Sequence, residues 1–147
     1  MEYRFTIRLD PRTKKNHQQI RRNVATGGMF VSPSRQYKEY LAEAQWLLNS
    51  EKARLGLREP LRGPLNIKAV YFMGTRRKVD ISNLHECLHD VLVTCGIIED
   101  DSCRVIIATD GSRIRYDKQN PRTEVTITEV TNAEEIKEWK HMFAKKR

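Results

Sequence analysis

The sequence has few of the features that mark secreted or membrane proteins. It contains three cysteines in 147 residues and no Cys-x-x-Cys pair, so neither a disulfide framework nor a paired-cysteine metal motif is indicated. No apolar run approaches the length of a membrane span. The first residues, MEYRFTIRLD, alternate charged and apolar side chains and lack the apolar stretch of a signal peptide. We therefore expect a cytoplasmic protein with reduced, buried thiols and no membrane contact.

An excess of basic residues is the main compositional feature. Lys and Arg number 27 against 19 Asp and Glu, which gives a formal net charge of +8. Such a charge favours polyanionic partners, although many basic proteins bind no nucleic acid. Three basic clusters suit a curved polyanion better than a single contact. The clusters are Arg12, Lys14, Lys15, Arg21 and Arg22; Arg76, Arg77 and Lys78; and Arg113, Arg115, Lys118 and Arg122.

Hydrophobic periodicity predicts an α/β or α+β fold, with a mixed sheet of roughly four strands flanked by two or three helices. Residues 10–31 read as a long polar loop that ends in a short hairpin near 29–31. Ser32 and Pro33 have the pattern of an N-cap and a first helical residue. The strands are expected at 3–9, 65–72, 105–108 and 123–130, and the first two helices at 33–50 and 80–95.

A last helix is expected beyond residue 130. Thr131 and Glu134 have the spacing of a capping box. The sequence therefore divides into a domain at 1–130 and an amphipathic helix at 131–147, packed on that domain or on a dimer partner. The apolar stripe of this helix comprises Ile136, Trp139, Met142 and Phe143.

Acidic residues between positions 80 and 101 are the candidates for chemistry. Asp80 begins the clearest amphipathic helix, and Asp100 and Asp101 precede a strand. A helix start and a neighbouring strand start are expected to bring Asp80 and Asp101 to the same end of the domain. Carboxylates within a basic surface suit magnesium, which takes oxygen ligands and supports phosphodiester hydrolysis. The helix also carries Asn83, Glu86 and Asp90 on one face, opposite its leucines.

The same residues also have an ordinary structural interpretation. Asp80 is a suitable helix N-cap, and Asp100 with Asp101 is a common polar turn before a strand. His85 and His89 have metal-compatible spacing but lack the zinc-protease pattern, and surface or half-buried histidines account for them. Spacing alone leaves both interpretations open.

The run VDISNLHECLHDVLVTCGIIEDDSCRV resembles the signature of RusA-type endonucleases. The segments TIRLDPRTKKN, GMFVSPSRQY and PRTEVTITE resemble further parts of that family, so the likeness covers about residues 3–130. The ordered combination is specific, whereas each part alone is weak. The matching signature positions are Asp80, Asn83, Leu84, Asp90, Leu92, Gly96, Asp100 and Asp101.

This resemblance implies a homodimeric resolvase that cuts four-way DNA junctions in recombination and repair and is often carried by prophages. It implies magnesium, or manganese, held by Asp80 and Asp101 with Asp100 beside them. Asp80, Asp101, Glu86 and Lys78 are then the candidate catalytic residues. The candidate DNA contacts are Arg12, Lys14, Lys15, Asn16, Arg76, Arg77 and Asn83.

Two positions depart from the family pattern. Ser82 stands where the family has its second aspartate, and Glu86 stands where it has an important lysine. Positions 82 and 86 are neighbours on a helix, so one hypothesis is that Glu86 takes over the lost ligation while Lys78 supplies the missing positive charge. The rival hypothesis is a protein that binds junctions and cuts them poorly.

Overall fold

The computed structural model describes residues 1–13 and 18–143, which form an α+β fold. The elements in chain order are β1 (Glu2–Ile7), β2 (Gln18–Arg22), β3 (Met29–Pro33), α1 (Arg35–Arg54), β4 (Leu65–Met73), α2 (Ile81–Thr94), β5 (Ile106–Ala108), β6 (Arg113–Tyr116), β7 (Arg122–Glu129) and α3 (Ala133–Phe143). Lys14, Lys15 and Asn16, which were predicted to contact DNA, lie outside the described residues.

A five-stranded mixed sheet is built around β4. Strand β7 pairs antiparallel with β4 on one side, and β1 pairs antiparallel with β7 at the edge. On the other side of β4, β5 pairs parallel with its amino end and β6 with its carboxyl end. The predicted mixed sheet is confirmed. It gains β6, which was not predicted because it has only four residues, all of them exposed, and its arginines were assigned to a basic cluster.

Alternating residues of β1, β4 and β7 face α1 and α2 and form one core with them. Phe5, Ile67, Tyr71 and Val125 are nearly inaccessible to solvent, in agreement with the period of two expected for a half-buried strand. Removal of these side chains from water is the main force that holds the helices to this face. The opposite face of the sheet carries polar side chains such as those of Lys68 and Thr126.

Helix α2 has the clearest agreement with its predicted periodicity. Leu84, Leu88, Val91 and Leu92 are buried, together with Cys87. After Thr94 the chain turns at Gly96, whose φ is +71°, a value that L side chains rarely adopt. The Ile97 N–H then donates to the Leu92 carbonyl over 2.9 Å, which closes the helix end.

Two predicted helix starts were displaced. Helix α1 is capped by Ser34, whose hydroxyl accepts a hydrogen bond from the Tyr37 N–H over 3.2 Å, so the prediction of Ser32 and Pro33 was wrong. Pro33 instead ends β3 of the β2–β3 hairpin. Helix α3 is capped by Asn132, which accepts from the N–H groups of Glu134 and Glu135, in place of Thr131.

Candidate functional site

Asp80 occupies the N-cap position of α2 without capping the helix. All of α2 is described, and none of its backbone N–H groups donates to the Asp80 side chain. The carboxylate is exposed and accepts one hydrogen bond, over 3.4 Å, from the Asn83 side-chain amide. Helix capping therefore does not explain why an aspartate stands at position 80, and the carboxylate oxygens are open to solvent.

Asp100 and Asp101 lie in a loop of residues 99–105 between α2 and β5, which we call the acidic loop. The Ser102 hydroxyl donates to the Asp100 carboxylate, and this hydrogen bond lowers the pKa of Asp100 below its ordinary value. Asp101 is exposed. Both carboxyl groups are thus accessible to an ion, and Asp100 stays ionised even in mild acid.

Asp80 and Asp101 are attached to opposite ends of α2 and β4. Asp80 follows the carboxyl end of β4, whereas Asp101 precedes Ile106, which pairs with Leu65 at the amino end of β4. The 14 residues of α2 separate its ends by about 21 Å. Attachment at opposite ends does not fix the distance between the two carboxylates, and the meeting of Asp80 and Asp101 stays a prediction. The acidic loop lies within electrostatic reach of His89, on the same helix as Asp80.

Few potential metal-ligating side chains lie close together in the described structure. Within residues 1–13 and 18–143, no group of three or more His, Cys, Asp or Glu side chains is arranged to hold an ion. Magnesium often takes only one or two protein carboxylates and completes its octahedron with water and phosphate. The exposed oxygens of Asp80 and Asp101 fit that chemistry, whereas the histidines and cysteines that the structure describes form no zinc site.

Two histidines on α2 form a stacked pair beside the core. The rings of His85 and His89 are parallel within 2° with centroids 5.6 Å apart, and His85 Nδ1 hydrogen bonds with the Tyr71 hydroxyl over 2.7 Å. Burial, reinforced by His85, lowers the pKa of His89 to about 4, while Asp101 acts in the opposite direction. The prediction of half-buried histidines is confirmed. His89 Nε2 is buried and lacks a hydrogen-bond partner among the described residues.

Arg12 of the first basic cluster lies near Arg77 and Lys78 of the second, beside the connection that leads from β4 to Asp80. Asp10 accepts a hydrogen bond from the Gly74 N–H over 2.9 Å and lies 3.7 Å from the Arg12 guanidinium. A groove of about 210 Å³ runs between these segments. We call it the basic groove, and its lining residues are Asp10, Pro11, Arg12, Thr13, Met73, Thr75, Arg77, Lys78 and Val79.

The third basic cluster divides into exposed and engaged arginines. Arg122 is held by Asp117 over 2.9 Å and by Glu124 over 2.8 Å, and its guanidinium stacks 3.8 Å from the Phe72 ring centroid. It therefore stabilises the sheet and is poorly placed to meet a ligand. Arg115, on β6, is exposed and lies 5.4 Å from the same ring.

Arg76 extends the cationic surface toward β6. Its guanidinium lies 5.0 Å from the ring centroid of Tyr116, a distance suited to a cation–π contact. Sequence reasoning missed the anchoring residues Asp10 and Tyr116, because their neighbours are distant along the chain. The remaining candidates, Lys78 and Glu86, are exposed at the start of α2 and on its second turn.

The cysteines and helices agree with most earlier expectations. All three cysteines are free; Cys87 and Cys95 are buried, whereas Cys103 is exposed, so its predicted burial was wrong. Burial raises the pKa of Cys87 to about 11, which makes it a poor nucleophile.

Among the helices described, none has both the length and the apolar character needed to cross a bilayer.

An accessible helix-start aspartate beside a cationic groove defines a surface suited to binding phosphodiesters. The model of the family Endodeoxyribonuclease RusA matches residues 9–128. The chain therefore belongs to the RusA endodeoxyribonuclease family, which confirms the resemblance seen in the sequence. Membership implies a nuclease that acts on branched DNA. No curated protein matched the chain.

Proposed function

We propose that this protein is a magnesium-dependent, structure-specific endonuclease that resolves Holliday junctions in recombination and repair. The observation that carries the proposal is the exposed carboxylate of Asp80, which does not cap α2 and lies beside the basic groove, in a chain of the RusA family. Phosphodiester cleavage needs negative oxygens for a hard cation and positive side chains for the DNA backbone. The Asp80 carboxylate and the basic groove both lie at the carboxyl end of β4.

The acidic residues would hold the metal. Asp80 and Asp101 are the proposed ligands, with Asp100 as the neighbour that the Ser102 hydroxyl keeps ionised. When bound, magnesium, or manganese in its place, would offset charge on the scissile phosphate and activate water. Because the two carboxylates come from opposite ends of α2, the position of the acidic loop decides whether they share one ion.

The basic residues would position the DNA. Arg12, Arg77 and Lys78 line the basic groove and are proposed to hold phosphates on either side of the scissile bond. Asn83, which donates to Asp80, is placed to orient that carboxylate and to reach the backbone. Arg76, held against Tyr116, extends this surface. Lys14, Lys15 and Asn16 are proposed as further contacts from the sequence.

A weakly cutting junction binder is the second candidate function. Ser82 and Glu86 occupy positions where the family has an aspartate and a lysine. The negative charge at position 82 and the positive charge at position 86 are therefore missing. Under the first proposal Glu86 replaces the missing acid, directly or through water, and Lys78 replaces the missing cation. Under the second, binding survives and cleavage is slow.

The proposed assembly is a homodimer in the cytoplasm. A four-way junction has approximate two-fold symmetry, and a two-fold dimer presents two equivalent sites to it. Paired incisions require two such sites. The free thiols and the DNA substrate support a reducing, DNA-containing compartment.

Cleavage of a labelled four-way junction, compared with linear duplex of the same sequence, tests the function. We expect magnesium-dependent cleavage of the junction alone. Asp80→Asn should lower the rate about a hundredfold or more while binding is kept, because a ligand is lost and repulsion of phosphate falls. Asp110→Asn, an exposed aspartate outside the site, is the matched control.

The alternative outcomes separate the candidates. Tight junction binding with no cleavage at any magnesium or manganese concentration would favour the binding function. Equal cleavage of linear duplex would remove the structural specificity. Absence of junction binding would overturn both functions.

A further inference from the structure

Helix α3 lies beyond the family match, which ends at residue 128, yet it contacts the acidic loop. The Trp139 indole N–H donates a hydrogen bond to the main-chain oxygen of Arg104 over 3.0 Å. The Arg104 guanidinium lies 5.6 Å from the ring centroid of Phe143, which in turn packs 5.8 Å from Trp139. Trp139 therefore binds the main chain of Arg104, and Phe143, one turn later on α3, contacts its guanidinium.

The other side of Arg104 is closed by the segment before β4. A Cβ at position 63 would overlap the Arg104 carbonyl and lie 2.6 Å from the Val105 Cα, so only glycine allows this approach. The Leu65 N–H donates to the Val105 carbonyl over 2.7 Å. Arg104 is thus placed between Gly63 on one side and α3 on the other.

The acidic loop is anchored by Val105, which is buried in the core, but the residues before Val105 lack such burial. Asp101, Ser102, Cys103 and Arg104 are all exposed. An exposed segment with few apolar contacts opens at low free-energy cost, so its position depends on individual hydrogen bonds, which include those that the Ser102 carbonyl accepts from the Val105 and Ile106 N–H groups. The hydrogen bond from Trp139 attaches three residues from Asp101, which is close enough to restrict that aspartate.

We propose that α3 acts as a clamp, formed by Trp139 and Phe143 against Arg104, which fixes the acidic loop so that Asp101 meets the metal. This inference rests on the proposed function. Trp139 is a positioning residue in it, acting through the loop without touching DNA or metal. Asp80 begins α2 whereas Asp101 follows its end by seven residues, so the position of the acidic loop determines whether the two carboxylates share an ion, and the clamp holds that position.

A merely structural α3 makes a different prediction. If α3 only covers nearby surface, weakening its contact lowers overall stability without changing the response to magnesium. If α3 positions Asp101, weakening the contact shifts the magnesium requirement first. The concentration dependence on magnesium therefore separates the two roles.

The first test compares Trp139→Phe with Met142→Ala in the full chain. Phenylalanine keeps an aromatic ring beside Phe143 but removes the indole donor, whereas Met142 is 65% exposed on the same helix. We expect Trp139→Phe to raise the magnesium concentration for half-maximal junction cleavage about two- to tenfold, as for one lost hydrogen bond. The maximal rate, junction binding without metal and the thermal midpoint should change little, and Met142→Ala should leave all four near wild type.

The second test uses fluorescence, with no cleavage involved. The chain has two tryptophans, and Trp46 is 71% exposed on α1, so Trp46→Phe leaves Trp139 as the sole reporter. Magnesium titration of this variant should change Trp139 emission with the midpoint found for cleavage. Adding Asp101→Asn should abolish the change. An emission that stays constant while cleavage rises would overturn the clamp.

Hydrogen exchange separates failure of the clamp from failure of the proposed function. Without metal or DNA, amides of residues 100–106 should exchange faster in Trp139→Phe than in Met142→Ala. If the protein neither binds nor cuts junctions but this difference is present, the proposed function fails and the clamp stands as a device that orders the loop. Equal exchange in the two variants, or an unchanged magnesium midpoint in an active Trp139→Phe protein, would refute the clamp.

Discussion

Asp10 accepts a hydrogen bond from the Gly74 N–H over 2.9 Å and thereby joins two segments that are 64 residues apart. One segment carries Arg12 and the other leads through Arg77 and Lys78 to Asp80. The contact therefore forms one wall of the basic groove. A single carboxylate places cations from distant parts of the sequence next to the candidate metal ligand.

Replacement of Asp10 tests whether this contact organises DNA binding. We expect Asp10→Ala to weaken junction binding about two- to tenfold, because the Gly74 N–H loses its acceptor and Arg12 loses its ion pair. Gel-shift titration without metal is the measurement. Binding unchanged from that of Asp110→Ala, a matched exposed aspartate, would show that the groove forms without Asp10.

Glu86→Ala tests the relocation of the missing acid. If Glu86 supplies ligation in place of Ser82, its loss should reduce cleavage about tenfold or more, with binding retained. The double variant Ser82→Asp/Glu86→Ala should recover activity, since a carboxylate returns one turn earlier on α2. Glu43→Ala, an exposed glutamate on α1 outside the family signature, is the control. Full activity of Glu86→Ala in a junction-cleavage assay would rule out the relocation.

Arg76→Ala should weaken junction binding and lower its salt dependence. Its guanidinium is held by Tyr116, and a phosphate contact contributes about one unit to the slope of log affinity against log salt. Titrations at several salt concentrations measure that slope. Arg58→Ala provides the comparison, since Arg58 is exposed in the connection before β4 and does not line the groove. The same salt slope for both variants would show that Arg76 does not contact the DNA backbone.

Gly63→Ala should lower the free energy of unfolding by about 1–3 kcal/mol, because the new methyl group overlaps the Arg104 carbonyl and forces the loop away from β4. Urea denaturation followed by circular dichroism measures this change. At Gly28 the nearest atom to an added Cβ is a side-chain oxygen 3.4 Å away, so Gly28→Ala should cost much less. Equal stability of the two variants would contradict the close contact at position 63.

The stability of the protein should depend on His89 in mild acid. Burial holds the pKa of His89 at about 4 against an ordinary 6.5, so between these values the unfolded chain binds a proton that the folded chain does not. The free energy of unfolding should therefore fall as the pH drops from about 6.5 to 4, by about 1.4 kcal/mol per pH unit at most from this group.

Urea midpoints at several pH values measure the His89 contribution. His89→Gln cannot take up this proton, so its stability should decline less steeply than that of wild type over the same interval. His141→Gln, exposed on α3, should follow wild type. A wild-type slope in His89→Gln would show that the titration belongs to other groups.

Much of this architecture follows from local sequence. The alternation in β1 and the spacing of Leu84, Leu88, Val91 and Leu92 determine strand and helix because burial of one face is a repeated, short-range pattern. The signature around Asp80 and Asp101 likewise identifies the family, since it depends on residue identity and order.

Other features were decided by the tertiary structure. β6 is a strand because it pairs with the carboxyl end of β4, although its own residues are exposed. Ser34 caps α1 because the hairpin extends to Pro33, a pairing that local spacing does not encode. The Asp10–Gly74 contact and the hydrogen bond from Trp139 to Arg104 both join residues that are distant in the chain. Their geometry depends on how strands and helices pack, so the sequence names candidate residues and only the tertiary structure decides their arrangement.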